Sequence, residues 1–146
     1  MQSTRSWRAV YLLLCLLILS AASVGTRASA QDAPKKAPKG ALDGMSFVGE
    51  ISEKGKKAEP DTLVFKKGKF HSKGCDEYGF EKVKYTAQKE GNAISWEAEA
   101  VSAKEGKMKW KGTVQEKMIE ASAVWTRAGQ APIEYAFKGA LKKKRV

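Results

Sequence analysis

The chain has 146 residues and a formal net charge of +11, since 27 Lys and Arg residues stand against 16 Asp and Glu residues. Such a surplus favours anionic partners such as nucleic acid, lipid headgroups or acidic glycans. The longest apolar run, residues 10–19, is shorter than the roughly 20 residues of a membrane span. The length therefore argues against a protein of several domains, and the short apolar run argues against a helical membrane protein.

The first 30 residues are typical of a secretory signal peptide. Arg5 and Arg8 precede the apolar run, and Ala28-Ser29-Ala30 forms a small-x-small cleavage site. We therefore expect residues 1–30 to be removed near Ala30, and the mature protein to be secreted or periplasmic, with no transmembrane segment. Removal takes away three arginines and no acidic residue, which leaves a net charge of +8.

The remaining chain predicts one folded domain with short extensions. Residues 31–41 are rich in Pro, Lys and Ala without an apolar period, and we expect a flexible leader. Residues 42–142 form the predicted barrel domain, and residues 143–146 a basic tail. Cys75 is the only cysteine after residue 30, so no internal disulfide can form, and its redox state stays open.

Alternation of apolar and polar residues predicts eight short strands and no helix. The predicted strands cover residues 45–51, 62–66, a short stretch around Phe70, and residues 82–89, 94–101, 108–114, 119–125 and 133–141. The connections carry turn residues such as Lys67-Gly68 and Gly91-Asn92, and glycine supplies the positive φ that hairpins need. The predicted fold is all-β: an eight-stranded antiparallel up-and-down meander closed into a small barrel.

An aromatic, glycine and aliphatic motif recurs in three of the predicted strands. Three strands carry an aromatic residue, a glycine two positions later and an aliphatic residue two positions after that: Phe47, Gly49 and Ile51; Trp110, Gly112 and Val114; Phe137, Gly139 and Leu141.

Two constraints agree on how the strands around Trp110 pair. If Glu116 and Lys117 form a two-residue turn, Trp110 lies opposite Ala123. If Glu97 meets Lys111 on the outside, Ala98 also lies opposite Trp110. Extended along the strands, this register gives further predicted pairs: Met108 with Trp125, Gly112 with Ala121, Trp96 with Gly112, Glu99 with Lys109, Ala123 with Tyr135, Ala121 with Phe137 and Ile119 with Gly139. Large rings then fall against Gly or Ala, as a narrow barrel needs.

This architecture resembles the calycin group, the lipocalin-like and avidin-like barrels. Separately, residues 61–80, with the sequence Asp-Thr-Leu-Val-Phe-Lys-Lys-Gly-Lys-Phe-His-Ser-Lys-Gly-Cys-Asp-Glu-Tyr-Gly-Phe, are similar to a stretch of small secreted bacterial proteins of unassigned activity. The resemblance extends towards Leu141 and implies an exported or envelope location in a bacterium. It implies no catalytic residue.

The inner face of the predicted barrel is rich in rings. The candidate ligand-binding residues are Tyr85, Trp96, Trp110, Trp125, Tyr135 and Phe137. Inward Gly and Ala residues could leave room beside these rings for one small apolar ligand, because eight-stranded barrels sit at that size limit. The alternative is that the rings fill the interior themselves.

The second candidate is the loop of residues 72–80, which interrupts the alternation. Its candidate partner-binding residues, together with the residue before it, are His71, Cys75, Asp76, Glu77 and Tyr78. One Cys and one His are too few for a structural zinc site, and strict alternation turns His71 away from the interior, so we predict no metal and no cofactor. The single His also argues against serine-type hydrolysis, and we expect no enzyme.

Two functions therefore stay open. In the first, an exported barrel protein binds a small apolar ligand inside, or a partner through the 72–80 loop. In the second, a structural or interaction protein with a filled core docks through its basic surface on anionic components of the envelope. No specific nucleic-acid partner is predicted.

Overall fold

The computed structural model describes residues 35–143, which fold into nine strands and one short 3-10 helix. The elements are β1 (Lys35–Lys36), β2 (Ser46–Glu53), β3 (Glu59–Lys66), β4 (Lys69–Ser72), the 3-10 helix (Lys73–Tyr78), β5 (Val83–Glu90), β6 (Ala93–Ser102), β7 (Gly106–Gln115), β8 (Met118–Thr126) and β9 (Ile133–Leu141). The predicted signal peptide, the start of the leader and the last three residues of the predicted basic tail lie outside the described residues.

Strands β2 to β9 form a closed barrel of eight antiparallel strands with a radius of about 8 Å. Each strand pairs with the next along the chain, and β9 pairs with β2 to complete the ring. Closure leaves no free edge between the eight strands, which is how small antiparallel sheets avoid unpaired backbone groups. The prediction of an all-β meander closed into a small barrel is confirmed.

The register predicted around Trp110 is also confirmed. Trp110 lies between Ala98 of β6 and Ala123 of β8, and Gly112 lies between Trp96 and Ala121. The pairs predicted between β8 and β9 occur as well. The inner face therefore alternates large rings with Gly and Ala, and the lysines of β7 face outward.

The motif glycines mark the points where neighbouring strands approach most closely. Gly49 of β2 pairs with Gly139 of β9. A Cβ atom added to Gly49 would overlap the carbonyl oxygen of Lys138 and lie 2.5 Å from the Cα atom of Gly139. A Cβ atom on Gly112 would lie 2.8 Å from Nε1 of Trp96. Neither position has room for a side chain, which explains the glycine in each motif.

The described segment before β2 begins at Lys35, within the predicted leader. Lys35 and Lys36 pair with β5, and the amide N–H of Ala37 donates to the carbonyl of Ala87 at 3.0 Å. Ala37 is buried and Leu42 is fully buried in the core. A strand pairing, a backbone hydrogen bond and one small apolar contact therefore hold residues 35–37 of the predicted leader against β5.

Candidate functional site

The candidate residues at the centre of the barrel are buried, and two of them pack against the rings of Phe65 and Phe70. Trp96 and Trp110 are 1% exposed and Phe137 is fully buried. The ring centroid of Trp96 lies 4.9 Å from that of Phe65 and 4.8 Å from that of Phe70, and Phe70 lies 5.3 Å from Trp110. These are the distances of direct aromatic packing. The rings occupy the space that a ligand would need.

The remaining ring candidates are distributed between the two ends of the barrel. The hydroxyl of Tyr85 donates to Asp43 at 3.1 Å and accepts the amide N–H of Leu42. Burial raises the pKa of the Tyr85 hydroxyl above its ordinary value. The indole N–H of Trp125 donates to a backbone carbonyl at 2.6 Å, and its ring lies 6.4 Å from that of Tyr135. The six candidates therefore do not line one common pocket.

An enclosed cavity beside the core is very small. It has a volume of about 10 Å³ and lies between Phe70, Trp110, Cys75 and Phe80. A cavity of this size holds one water molecule at most. Of the two alternatives for the barrel interior, the structure favours the filled aromatic core.

The 72–80 loop is held in place by a buried carboxylate that the sequence analysis did not single out. Asp61 of β3 is 6% exposed. It accepts the hydroxyl of Ser72 at 2.6 Å and the amide N–H groups of Thr62 and Gly74 at 2.6 and 2.7 Å. Three donors satisfy a buried charge that would otherwise be costly. The loop therefore forms a fixed 3-10 turn against the barrel wall.

Replacing Asp61 with asparagine should lower the free energy of unfolding by about 2 to 3 kcal/mol, because hydrogen bonds to a buried charged group are worth about that much. Asparagine cannot accept from all three donors with the same charge. Urea unfolding followed by tryptophan emission measures the change. The matched control is Asp76→Asn, whose side chain is 56% exposed and should cost less than about 1 kcal/mol. Equal losses in the two variants would contradict the anchoring role.

Within the loop, the candidate residues have very different exposure. Cys75 is 8% exposed, with its Sγ 3.2 Å from the hydroxyl of Ser72 and 3.6 Å from the sulfur of Met108. Nε2 of His71 lies 2.5 Å from a carboxylate oxygen of Asp76. Glu77 is exposed, and Tyr78 is 44% exposed. Only the last two and Asp76 present an accessible side chain to a partner.

Folded protein should resist labelling at Cys75. Burial raises the pKa of this thiol from 9.0 to about 11, so the thiolate is scarce at pH 8. We expect alkylation in native buffer to be at least about 100-fold slower than in urea, because only the thiolate reacts. Mass spectrometry of timed samples gives both rates. Comparable rates in the two conditions would show that the Cys75 thiol is accessible in the folded protein.

The outer face of β6 to β9 carries alternating charges that neutralise each other. Lys111 lies 3.3 Å from Glu97, Lys109 lies 3.6 Å from Glu99, and Lys138 of β9 pairs with Glu120 of β8 at 3.1 Å. We call this face the mixed wall. A broad open groove of about 690 Å³ crosses it and is lined by both members of two of these pairs, Glu97 with Lys111 and Glu120 with Lys138. Its charges cancel locally, so it does not select for one sign of ligand.

The outer face of β3 to β5 instead places positive charges directly opposite one another. Lys66 lies directly across from Lys69, and Lys69 directly across from Lys84, so that three lysines form one row over three strands. We call this face the basic wall. Among residues 35–143, none of the three lysines in the row forms an ion pair.

Like charges directly opposite each other destabilise a sheet. Folding therefore gives no reason for the row of Lys66, Lys69 and Lys84, whereas the mixed wall shows that the same chain elsewhere places glutamate across from lysine. Departures from local rules are expected where a surface has a function. Of the two walls, the basic wall is the one whose charge would favour an anionic partner.

Comparisons of the chain with protein-family models, with curated proteins and with solved structures gave no match. The closed antiparallel barrel with sequential strand order is consistent with a calycin-like fold. Within the described part of the chain, no helix is long and apolar enough to cross a bilayer. Residues 35–143 also contain no group of three potential metal ligands.

Proposed function

We propose that this protein is a non-enzymatic interaction protein of the bacterial envelope, and that its basic wall docks on an anionic phospholipid surface. The observation that carries the proposal is the unpaired row of Lys66, Lys69 and Lys84. The filled aromatic core supports it, because a barrel without interior space offers its exterior for binding.

Electrostatics would favour such docking. Each lysine near an anionic membrane surface contributes about 1 kcal/mol. The three lysines of the row all extend from the same face, so a flat surface can reach them together. The lysines of the mixed wall contribute less, because each would have to leave a neighbouring glutamate.

A lipid surface fits the basic wall better than a single-stranded nucleic acid. Proteins that bind single strands combine cations with exposed aromatic rings on which bases stack. On the basic wall the rings of β3 and β4, Phe65 and Phe70, point inward and are buried. In the described residues, the exposed large apolar side chains are Val48, Tyr78, Val101 and Met118, none of which lies on β3, β4 or β5.

The experiment is sedimentation of the protein with vesicles of phosphatidylglycerol and phosphatidylcholine, against vesicles of phosphatidylcholine alone. Binding to the anionic vesicles only, and a steep loss as salt rises from about 0.1 to about 1 M, are expected, because the screening length falls from about 10 to about 3 Å. Equal binding to both vesicles, or binding indifferent to salt, would overturn the proposal.

A second candidate is a protein partner that binds the 72–80 loop. The exposed ring of Tyr78, which packs edge-on against Trp125 at 5.5 Å, favours it, since exposed rings are common at interfaces. Tyr78→Ala separates the two candidates. Loss of envelope binding in Tyr78→Ala with no salt dependence would favour the loop, whereas the basic wall predicts unchanged vesicle binding in this variant.

A further inference from the structure

The basic wall contains an opening where β5 changes its neighbour. In its first half β5 pairs with β4, through Lys69 and Lys84, and near its end it pairs with β1, through Lys36 and Gln88. Between these two pairings no strand covers residues 85–87 on that side. The result is a groove of about 410 Å³, within the range of sites for small molecules.

Five lysines surround this groove. Lys36 and Lys39 lie on one side of it, Lys67 and Lys69 on the hairpin at the other side, and Lys84 on β5. No acidic residue is among the lining residues.

A carboxylate does lie close by, but its oxygens are engaged. Asp43 accepts the amide N–H of Gly68 at 2.8 Å and the hydroxyl of Tyr85 at 3.1 Å. It fixes the hairpin and the tyrosine, and it forms no ion pair with a lysine of the groove. The ammonium groups around the groove therefore remain available to a ligand.

The lining between the lysines is apolar. It includes Ala37, Pro38, Tyr85 and Ala87. A fully hydrated inorganic ion would gain nothing from these contacts, whereas a molecule with an apolar portion next to its anionic group would bury apolar surface there. The groove thus combines the two properties that the sequence suggested separately, affinity for an anion and affinity for an apolar group.

Both sides of the groove are fixed before any ligand binds. Lys67 and Gly68 have φ values of 53° and 73°, which define a tight left-handed turn between β3 and β4. On the other side, Ala37 is buried and hydrogen-bonded to β5. Preformed walls reduce the cost of ordering the site on binding.

From this geometry, we propose that the groove binds the phosphomonoester headgroup of one lipid molecule, a proposal that rests on the docking function of the basic wall. A phosphomonoester carries nearly two negative charges at neutral pH, and three free oxygens that can meet ammonium groups from both sides. A carboxylate carries half that charge and has only two oxygens, so it would meet fewer of the five ammonium groups. The apolar lining meets the glycerol and the first acyl carbons.

The test is titration of the protein with dihexanoyl phosphatidic acid below its critical micelle concentration, followed by amide NMR shifts. Dihexanoyl phosphatidylcholine, hexanoate and inorganic phosphate are the comparison ligands. We expect saturable one-to-one binding of the phosphatidic acid, with shifts at residues 36–40, 67–69 and 84–87. The variant Lys36→Gln/Lys39→Gln should bind about 30-fold more weakly, since two lysines are lost. The control Lys107→Gln/Lys109→Gln should bind as the unchanged protein does.

The possible results distinguish a lipid from free phosphate as the ligand, and the groove from the docking surface. Inorganic phosphate binding as tightly as the lipid would show a free-phosphate site and overturn the lipid assignment. No saturable binding of the lipid, or no effect of the Lys36 and Lys39 substitutions, would overturn the groove. If phosphatidylglycerol vesicles still bind in that case, docking by the basic wall stands without the groove. If the vesicles fail to bind and the monomeric lipid binds, the docking function falls and the groove stands alone.

Discussion

Gly49→Ala should destabilise the barrel by about 4 kcal/mol or more, which is an exceptional cost for one methyl group. The added Cβ would overlap the carbonyl oxygen of Lys138 and sit 2.5 Å from the Cα atom of Gly139. Both atoms belong to the backbone of β9, so no side-chain rotation relieves the contact. Strands β2 and β9 would have to separate at the pairing that closes the ring.

Gly55→Ala is the matched control for this prediction. Gly55 has a φ of 82° and nothing within 4 Å of an added Cβ, so only the left-handed backbone opposes alanine there. That conformation costs about 1 to 2 kcal/mol for a residue other than glycine. Urea unfolding of both variants, with far-UV circular dichroism as a check on folding, gives the comparison. A Gly49 variant no less stable than the Gly55 variant would refute the close approach of β2 and β9.

The second large effect concerns binding. Lys66→Gln/Lys69→Gln/Lys84→Gln should weaken binding to anionic vesicles about 100-fold. Three lysines are lost, each of which contributes about 1 kcal/mol, and about 1.4 kcal/mol changes a dissociation constant tenfold. The same change should leave the fold as stable or slightly more stable, since it removes like charges placed directly opposite each other. Weaker binding in a more stable protein cannot be explained by misfolding.

The control for the lysine row is Lys107→Gln/Lys109→Gln/Lys111→Gln on the mixed wall, which changes the net charge by the same amount. These lysines are exposed and paired with Glu97 or Glu99. We expect vesicle binding to fall by only a few-fold and stability to fall slightly. Equal losses of binding in the two triple variants would mean that net charge alone drives the interaction, and the basic wall would lose its role.

The sequence was sufficient to predict the register around Trp110 because two independent patterns constrain it. On the inside, Trp110 needs a small neighbour on each side, and on the outside Lys111 needs a glutamate. A shift by one residue would turn Lys109 and Lys111 into the core. Only one register satisfies both faces, and it is the one observed.

The basic wall was harder to predict, because its strands are not tied by the same constraints. The turn at Lys67 and Gly68 does imply that Lys66 faces Lys69. Lys84, however, follows a long connection, and β4 pairs with β5 over only two residue pairs. Asp61 was missed for a similar reason: its three donors come from Thr62, Ser72 and Gly74, and no periodicity reveals that they converge on one carboxylate.

The candidate site predicted from the sequence, the barrel interior, differs from the site proposed from the structure. Alternation shows which side chains point inward, but it does not show how much of the interior they fill. Inward alternation identified the rings of Trp96, Trp110 and Phe137 correctly as interior. Whether such rings leave a cavity depends on their rotamers and on the barrel radius. In the structure Trp96 and Trp110 pack against Phe65 and Phe70 at ring distances near 5 Å, and the exterior becomes the better candidate for binding.

Docking by the basic wall requires that this face of the barrel meets the anionic surface, and paramagnetic relaxation enhancement measures that orientation directly. Vesicles or bicelles containing phosphatidylglycerol and a spin-labelled lipid broaden the amide signals of residues close to the membrane. We expect the strongest broadening of amide signals at residues 66–69 and 83–86, and little broadening on β7 and β8. Strongest broadening at residues 107–111, or at the 72–80 loop, would contradict docking by the basic wall.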